Sequence, residues 1–223
     1  MHSHNKYKPN NQNELVEAII KEIYEVQGTP NNPNWEADLN CIDTSNITNM
    51  KYLFSILYRL EDFNGDISQW DVSNVKDMNR MFAYSKFNGD ISQWDVSNVK
   101  DMSGMFICIK FFNQDISKWD VSNVESMSGM FCCSMFNQNI NKWNVSNVVN
   151  MEHMFSKSKF NKDISNWKLN SLEYTFLMFE DSLLDYHIIA NLIKNNQHFL
   201  NNKKIQNLLE IYPYKNKVIL MIE

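Results

Sequence analysis

No run of apolar residues in this 223-residue chain approaches the ~18–20 needed to cross a bilayer as a helix. A basic block is missing too: 21 Lys and Arg stand against 26 Asp and Glu, for a net charge of −5 and a pI of about 5.6. That balance argues against a nucleic-acid partner. The four cysteines, Cys41, Cys108, Cys132 and Cys133, are too few and too unevenly spaced for a disulfide framework. Cys108 and Cys133 do share a register, two residues after Phe106 and Phe131. Helices packed at about 8–10 Å would hold them too far apart to bridge, so free, buried thiols are expected. The five histidines are scattered, with no H-x-x-H or H-E-x-x-H, and none pairs with a positioned Cys or Ser. No catalytic residue, metal site or cofactor is therefore predicted, and the chain reads as non-enzymatic. The opening residues, Met1 to Lys6, have no apolar core behind them, and Cys41 follows no hydrophobic segment. Neither a secretory signal nor a lipidation signal is expected.

What the chain has instead is a period. Trp70, Trp94, Trp119, Trp143 and Trp167 recur at intervals of 24, 25, 24 and 24 residues. Each follows F-N-x-[DN]-I-[SN]-x, and the first four precede [DN]-V-S-N-V-x-x-M-x-x-M-F. Residues 63–78 and 87–102 are identical. A fixed period of this size marks a stack of similar coils, each too small to bury its own apolar face. A degenerate unit begins at Ile42, and a four-residue insertion separates Phe54 from Phe63.

Within one coil, apolar Trp94 and Val96 alternate with polar Gln93, Asp95 and Ser97, the pattern of a half-buried strand. Val99, Met102, Met105 and Phe106 then fall at i, i+3, i+6 and i+7, which predicts the inner face of a short helix. Asn98 stands where a helix N-cap belongs, as do Asn74, Asn123 and Asn147. The lead-in, such as Phe87-Asn88-Gly89-Asp90, is turn chemistry. Glycine occupies that turn only at 65 and 89, which disfavours stacked calcium-binding turns.

Outside the repeats, residues 13–27 predict an amphipathic helix with Leu15, Val16, Ile19, Ile20 and Ile23 inward, Asn13 as N-cap and Gly28 and Pro30 as its stop. After Leu183 two further helices and a short strand over 217–222 are expected. The fold class predicted is thus an α/β repeat: a leucine-rich-repeat-like solenoid of about six units, with short parallel strands, short helices and helical caps at both ends. Residues 1–41 form the N-terminal cap and loop, 42–182 the repeats and 183–223 the C-terminal helical cap.

The pattern I-x-x-W-x-V-x-N-V is close to the leucine-rich consensus L-x-x-L-x-L-x-x-N-x-L, one residue shorter before the Asn. With M-x-x-M-F-x-x-[SI]-x-F-N, over about residues 42–182, it resembles the repeat of BspA-like bacterial leucine-rich-repeat surface proteins, also found in mycoplasma lipoproteins. The resemblance implies a cell-surface or secreted adhesin-type role, with host proteins or other cells as partners. The missing leader points instead to an intracellular scaffold or effector of the same architecture.

The structural core is expected at the five repeat tryptophans. The residues on either side of them form two outward polar ladders, Asp71, Asp95, Asp120, Asn144 and Lys168 after the indole and Gln69, Gln93, Lys118 and Lys142 before it. These are the predicted partner-binding residues for protein–protein recognition through the strand face.

Overall fold

The computed structural model describes residues 7–55, 60–198, 201–210 and 212–222. The first six residues, where no signal was expected, and much of the insertion after Phe54 lie outside the described residues.

The chain opens with helix α1, Gln12–Lys21, which runs on into one π-helical turn, Glu22–Val26. Its N-cap is Asn11, not Asn13: the Asn11 side chain accepts the Glu14 amide at 3.1 Å, and Glu14 reaches back to the Asn10 amide at 2.9 Å. This reciprocal pair satisfies amides that have no partner inside the helix. Leu15, Val16, Ala18, Ile19 and Ile23 are buried, whereas Ile20, expected inward, is 39% exposed. Gly28 ends the segment because a Cβ there would meet the Ile23 carbonyl oxygen at 2.1 Å.

From here to α2 the expected architecture fails. Among the described residues there is no β-strand; parallel pairing occurs as single bridges, Asn49 to Asp77, Asp77 to Asp101, Asp101 to Ser126, Ser126 to Asn150 and Asn150 to Tyr174. The short repeat helices are absent as well, so the chain is not an α/β leucine-rich-repeat solenoid with parallel strands. It is built from four-residue turns in series. Trp94 donates its amide to the Ile91 carbonyl (3.2 Å), Val99 to Val96 (3.0 Å) and Met105 to Met102 (3.1 Å). First and fourth residues of a turn face the same way, so inward residues three apart satisfy a turn chain as well as a helix. The alternation around Trp94 has the same origin, because the polar residues occupy the turn interiors.

The remaining amides leave the coil. Met78, Arg80, Phe82 and Tyr84 donate to the carbonyls of Asp101, Ser103, Met105 and Ile107 at 2.9, 2.9, 3.1 and 3.0 Å. Met102, Gly104, Phe106 and Cys108 do the same toward Ser126, Ser128, Met130 and Cys132. Successive coils are thereby locked one above another. To aim alternate amides outward, the third residue of the turns that begin at the repeat Met and Phe takes a left-handed backbone: Arg80 (φ 53), Gly104 (φ 61), Gly129 (φ 62) and His153 (φ 56) in one column, Tyr84 (φ 61), Cys108 (φ 54), Cys133 (φ 55) and Lys157 (φ 55) in the next. Left-handed residues cannot sit inside an α-helix, which is why the expected helix over 99–106 does not form.

The expected cap residue Asn98 instead donates from Nδ2 to the Ser73 carbonyl of the preceding coil at 2.8 Å, and Asn74, Asn123 and Asn147 act alike. Inside the stack, Phe54, Phe82, Phe106, Phe131, Phe155 and Phe179 pile up with centroids 5.5 to 6.1 Å apart. Phe63, Phe87, Phe112, Phe136 and Phe160 form a second pile at 6.1 to 6.4 Å. The five repeat indoles are buried beside them, and each ring N–H bonds a backbone carbonyl one coil back: Trp94 to Ile67, Trp119 to Ile91, Trp143 to Ile116 and Trp167 to Ile140.

The C-terminal segment packs helices α2, Tyr186–Asn195, α3, Asn202–Leu208, and α4, Lys215–Ile222, near the last coil. The strand expected over 217–222 is α4: its buried Val218 and half-buried Ile219, Met221 and Ile222 follow helical spacing. Buried Asn196 plugs the junction, accepting the Leu169 amide at 2.8 Å and donating to the Trp167 carbonyl at 2.9 Å.

Trp119→Ala should lower the unfolding free energy by about 3–5 kcal/mol, read from urea titration. Gly129→Ala isolates the backbone term, because the new Cβ would meet nothing closer than 3.9 Å. It should cost about 1 kcal/mol in the same titration, the left-handed penalty less the entropy alanine removes from the unfolded chain.

Candidate functional site

The expected polar ladders flank the indoles on turns and the segments between them, not on a strand face. Asp71, Asp95, Asp120, Asn144 and Lys168 are exposed, and so are Gln69, Gln93, Lys118 and Lys142. The acidic ladder also has a structural duty that the sequence reading missed. Each Asp or Asn accepts the amide two residues on: Asp71 from Ser73, Asp95 from Ser97 and Asp120 from Ser122 at 3.0 Å, and Asn144 from Ser146 at 3.2 Å. Such Asx turns close the corner with the side chain. The same bond recurs at two further corners of the coil, for example Asp90 with Ser92 (2.9 Å) and Asp101 with Ser103 (2.7 Å). One carboxylate oxygen holds the turn in each case, and at Asp101 the other accepts from Asn79 Nδ2 at 3.5 Å. Asn144 shows that an amide oxygen serves the corner without charge.

These bonds favour the ionised acid. The Ser122 hydroxyl and amide hold the Asp120 carboxyl below its ordinary range, and Ser117 does the same for Asp115. The Ser68 amide has this effect on Asp66. At Glu180 the Ser156 hydroxyl contributes most, followed by Lys157 at 3.3 Å.

A second surface, unforeseen from the sequence, lies along the left-handed columns. A groove of about 380 Å³ runs across consecutive coils, with Gly104 and Gly129 in its wall, Lys51 and Arg80 toward one end and His153 toward the other. Lys51 and Arg80 lie over the Tyr52 ring at 5.4 and 5.9 Å. The signal that could have revealed this face is the glycine of M-S-G-M-F at 104 and 129, which marks a positive φ in the third place of a turn.

Cys108, Cys132 and Cys133 lie along these columns, Cys41 beside Glu22 near the N-terminal helix, and the thiols depart from expectation. All four are free, but Cys41, Cys108 and Cys132 are half-buried and Cys133 is exposed. Burial, followed by the Glu22 carboxylate, pushes the Cys41 thiol up to about 11. Burial first, then Cys133, pushes Cys132 up to about 12.

A pH series tests the corner carboxylates. Asp66, Asp115, Asp120 and Glu180 are depressed on folding, so the unfolded chain binds more protons as pH falls through about 4. Their contribution is complete above the unfolded values and disappears as pH drops through the folded ones. Stability should plateau above about pH 5 and decline below about pH 4. Asp120→Asn should keep the turn while flattening part of that decline, measured by urea unfolding at each pH.

No helix among the described residues is long and apolar enough to cross a membrane. No curated protein and no solved structure matches the chain. A family model does, twice, over residues 25–134 and 109–210, and its two overlapping spans follow the repeats from the degenerate first coil into the C-terminal helices. The chain belongs to the family described as Mycoplasma protein of unknown function, DUF285.

Proposed function

We propose that this protein is a non-enzymatic protein-recognition module of adhesin type, engaging its partner through the polar ladders that flank the indole column. The observation that carries this reading is the placement of nine ladder side chains, all exposed, on consecutive coils whose corners are fixed by Asx turns. Side chains on a rigid backbone lose little entropy on docking beyond their own rotamers. The ladder is acidic at Asp71, Asp95 and Asp120 and basic at Lys118, Lys142 and Lys168, so it would orient a charged partner along the stack. The repeat's resemblance to BspA-like bacterial leucine-rich-repeat surface proteins supports a role in contact with host proteins or other cells.

The test must spare the corners. Replacing Asp95 or Asp120 by lysine would remove a turn acceptor, so the charge is better changed by Asp95→Asn and Asp120→Asn, combined with Lys118→Glu and Lys142→Glu. Immobilised protein is exposed to host-cell surface extracts, and Tm is measured in parallel. Capture by the parent that falls at least tenfold in the quadruple variant, with Tm within a few degrees, is the expected result. Equal capture by both proteins, or none by the parent, overturns the reading.

A further inference from the structure

Cys108 and Cys133 hold the same place in adjacent coils, each the left-handed third residue of a four-residue turn, with φ of 54 and 55. Their backbones are joined where they stand. The Cys108 amide donates to the Cys132 carbonyl at 2.8 Å, and the Phe106 amide to the Met130 carbonyl at 3.0 Å. Matching φ and a pinned register place the two Cβ atoms on the same side of adjacent coils. Neighbouring parallel segments lie about 4.8 Å apart, inside the roughly 4.4–6.8 Å between Cα atoms that a disulfide spans.

We propose that Cys108 and Cys133 form a dithiol modification site, oxidised by low-molecular-weight disulfides to a bridge between adjacent coils. Cys133 is the exposed member and meets the reagent first. Lys157 follows in the same column, on the next coil. The Cys133 thiolate attacks one sulfur of the reagent, forming a mixed disulfide and releasing one thiolate. The half-buried Cys108 loses its proton and attacks the Cys133 sulfur, expelling the second thiolate. The two protons given up by the cysteines end on the two released thiols, and the reagent is reduced by the two electrons the pair loses.

Cys132 is the competing partner, its sulfur 3.6 Å from that of Cys133. A bond between sequence neighbours must close a small ring through the peptide link, far from relaxed disulfide geometry. The in-register residue is thus the one placed to react. A bridge there fastens two coils at the rim of the groove, which Cys132 itself lines.

The experiment uses the folded full chain with excess glutathione disulfide, an iodoacetamide quench, intact mass measurement and peptide mapping. The parent and Cys132→Ser should each lose two hydrogens and show a Cys108–Cys133 link. Cys108→Ser should stop with one glutathione on Cys133, and Cys133→Ser should form no bridge. The proposal is overturned if the parent retains glutathione on Cys133, stays unmodified or links Cys132 to Cys133. It also fails if the bridge forms as readily in urea, where the register is gone.

Discussion

Backbone amides in the coils have to find acceptors without the help of a helix or a sheet, and the stack depends on how they do so. Along the Met–Phe segment, alternate amides close turns within the coil, while those between reach the carbonyls of the coil above. An unpaired amide in a dry stack would cost roughly 1–3 kcal/mol, so neither set can be given up. The arrangement forces a left-handed residue into the third place of each of these turns. Glycine fills that place only at 104 and 129, and the other such positions accept Arg80, His153, Tyr84, Cys108, Cys133 and Lys157. The penalty of about 1–2 kcal/mol at such a position is offset by the inter-coil bonds it makes available.

The aromatic interior follows from that spacing. Equivalent residues recur at the distance set by the backbone bonds, so identical rings fall into contact. The two phenylalanine piles and the indole column are the side-chain image of a hydrogen-bond repeat. Each indole N–H is satisfied by a carbonyl from the coil before, which ties the heaviest buried groups to the same register. The end helices bury the apolar faces left by the terminal coils, with Asn196 supplying the polar contacts where α2 meets the last of them.

The outer surface divides in the same way. Corners held by Asx turns present the polar ladders, and the left-handed columns present the groove and the three clustered thiols. Rigidity of the frame is what gives either surface a defined spacing. A charged side chain at a corner has two duties, closing the turn and carrying charge at the surface, so charge and stability cannot be varied independently there unless an amide replaces the acid.

Much could be read before any coordinates. The tryptophan interval announced stacked coils, the repeat tryptophans proved buried and the ladder residues exposed, while Ile20 was wrongly placed inward. The amphipathic first helix was found to within a few residues. Secondary structure inside the coil was misread, because residues three apart point the same way in a helix and in a chain of turns. The thiols were misplaced for the same reason: helices would have held Cys108 and Cys133 at packing distance, whereas a backbone bond from the Cys108 amide to the Cys132 carbonyl sets them in register on joined segments. Local sequence determined the period, the buried set and the polar corners, since these are written in residue type and spacing. Only the tertiary structure decided whether an amide turns inward or reaches the next coil, because its acceptor lies some 24 residues away, beyond the reach of any local pattern.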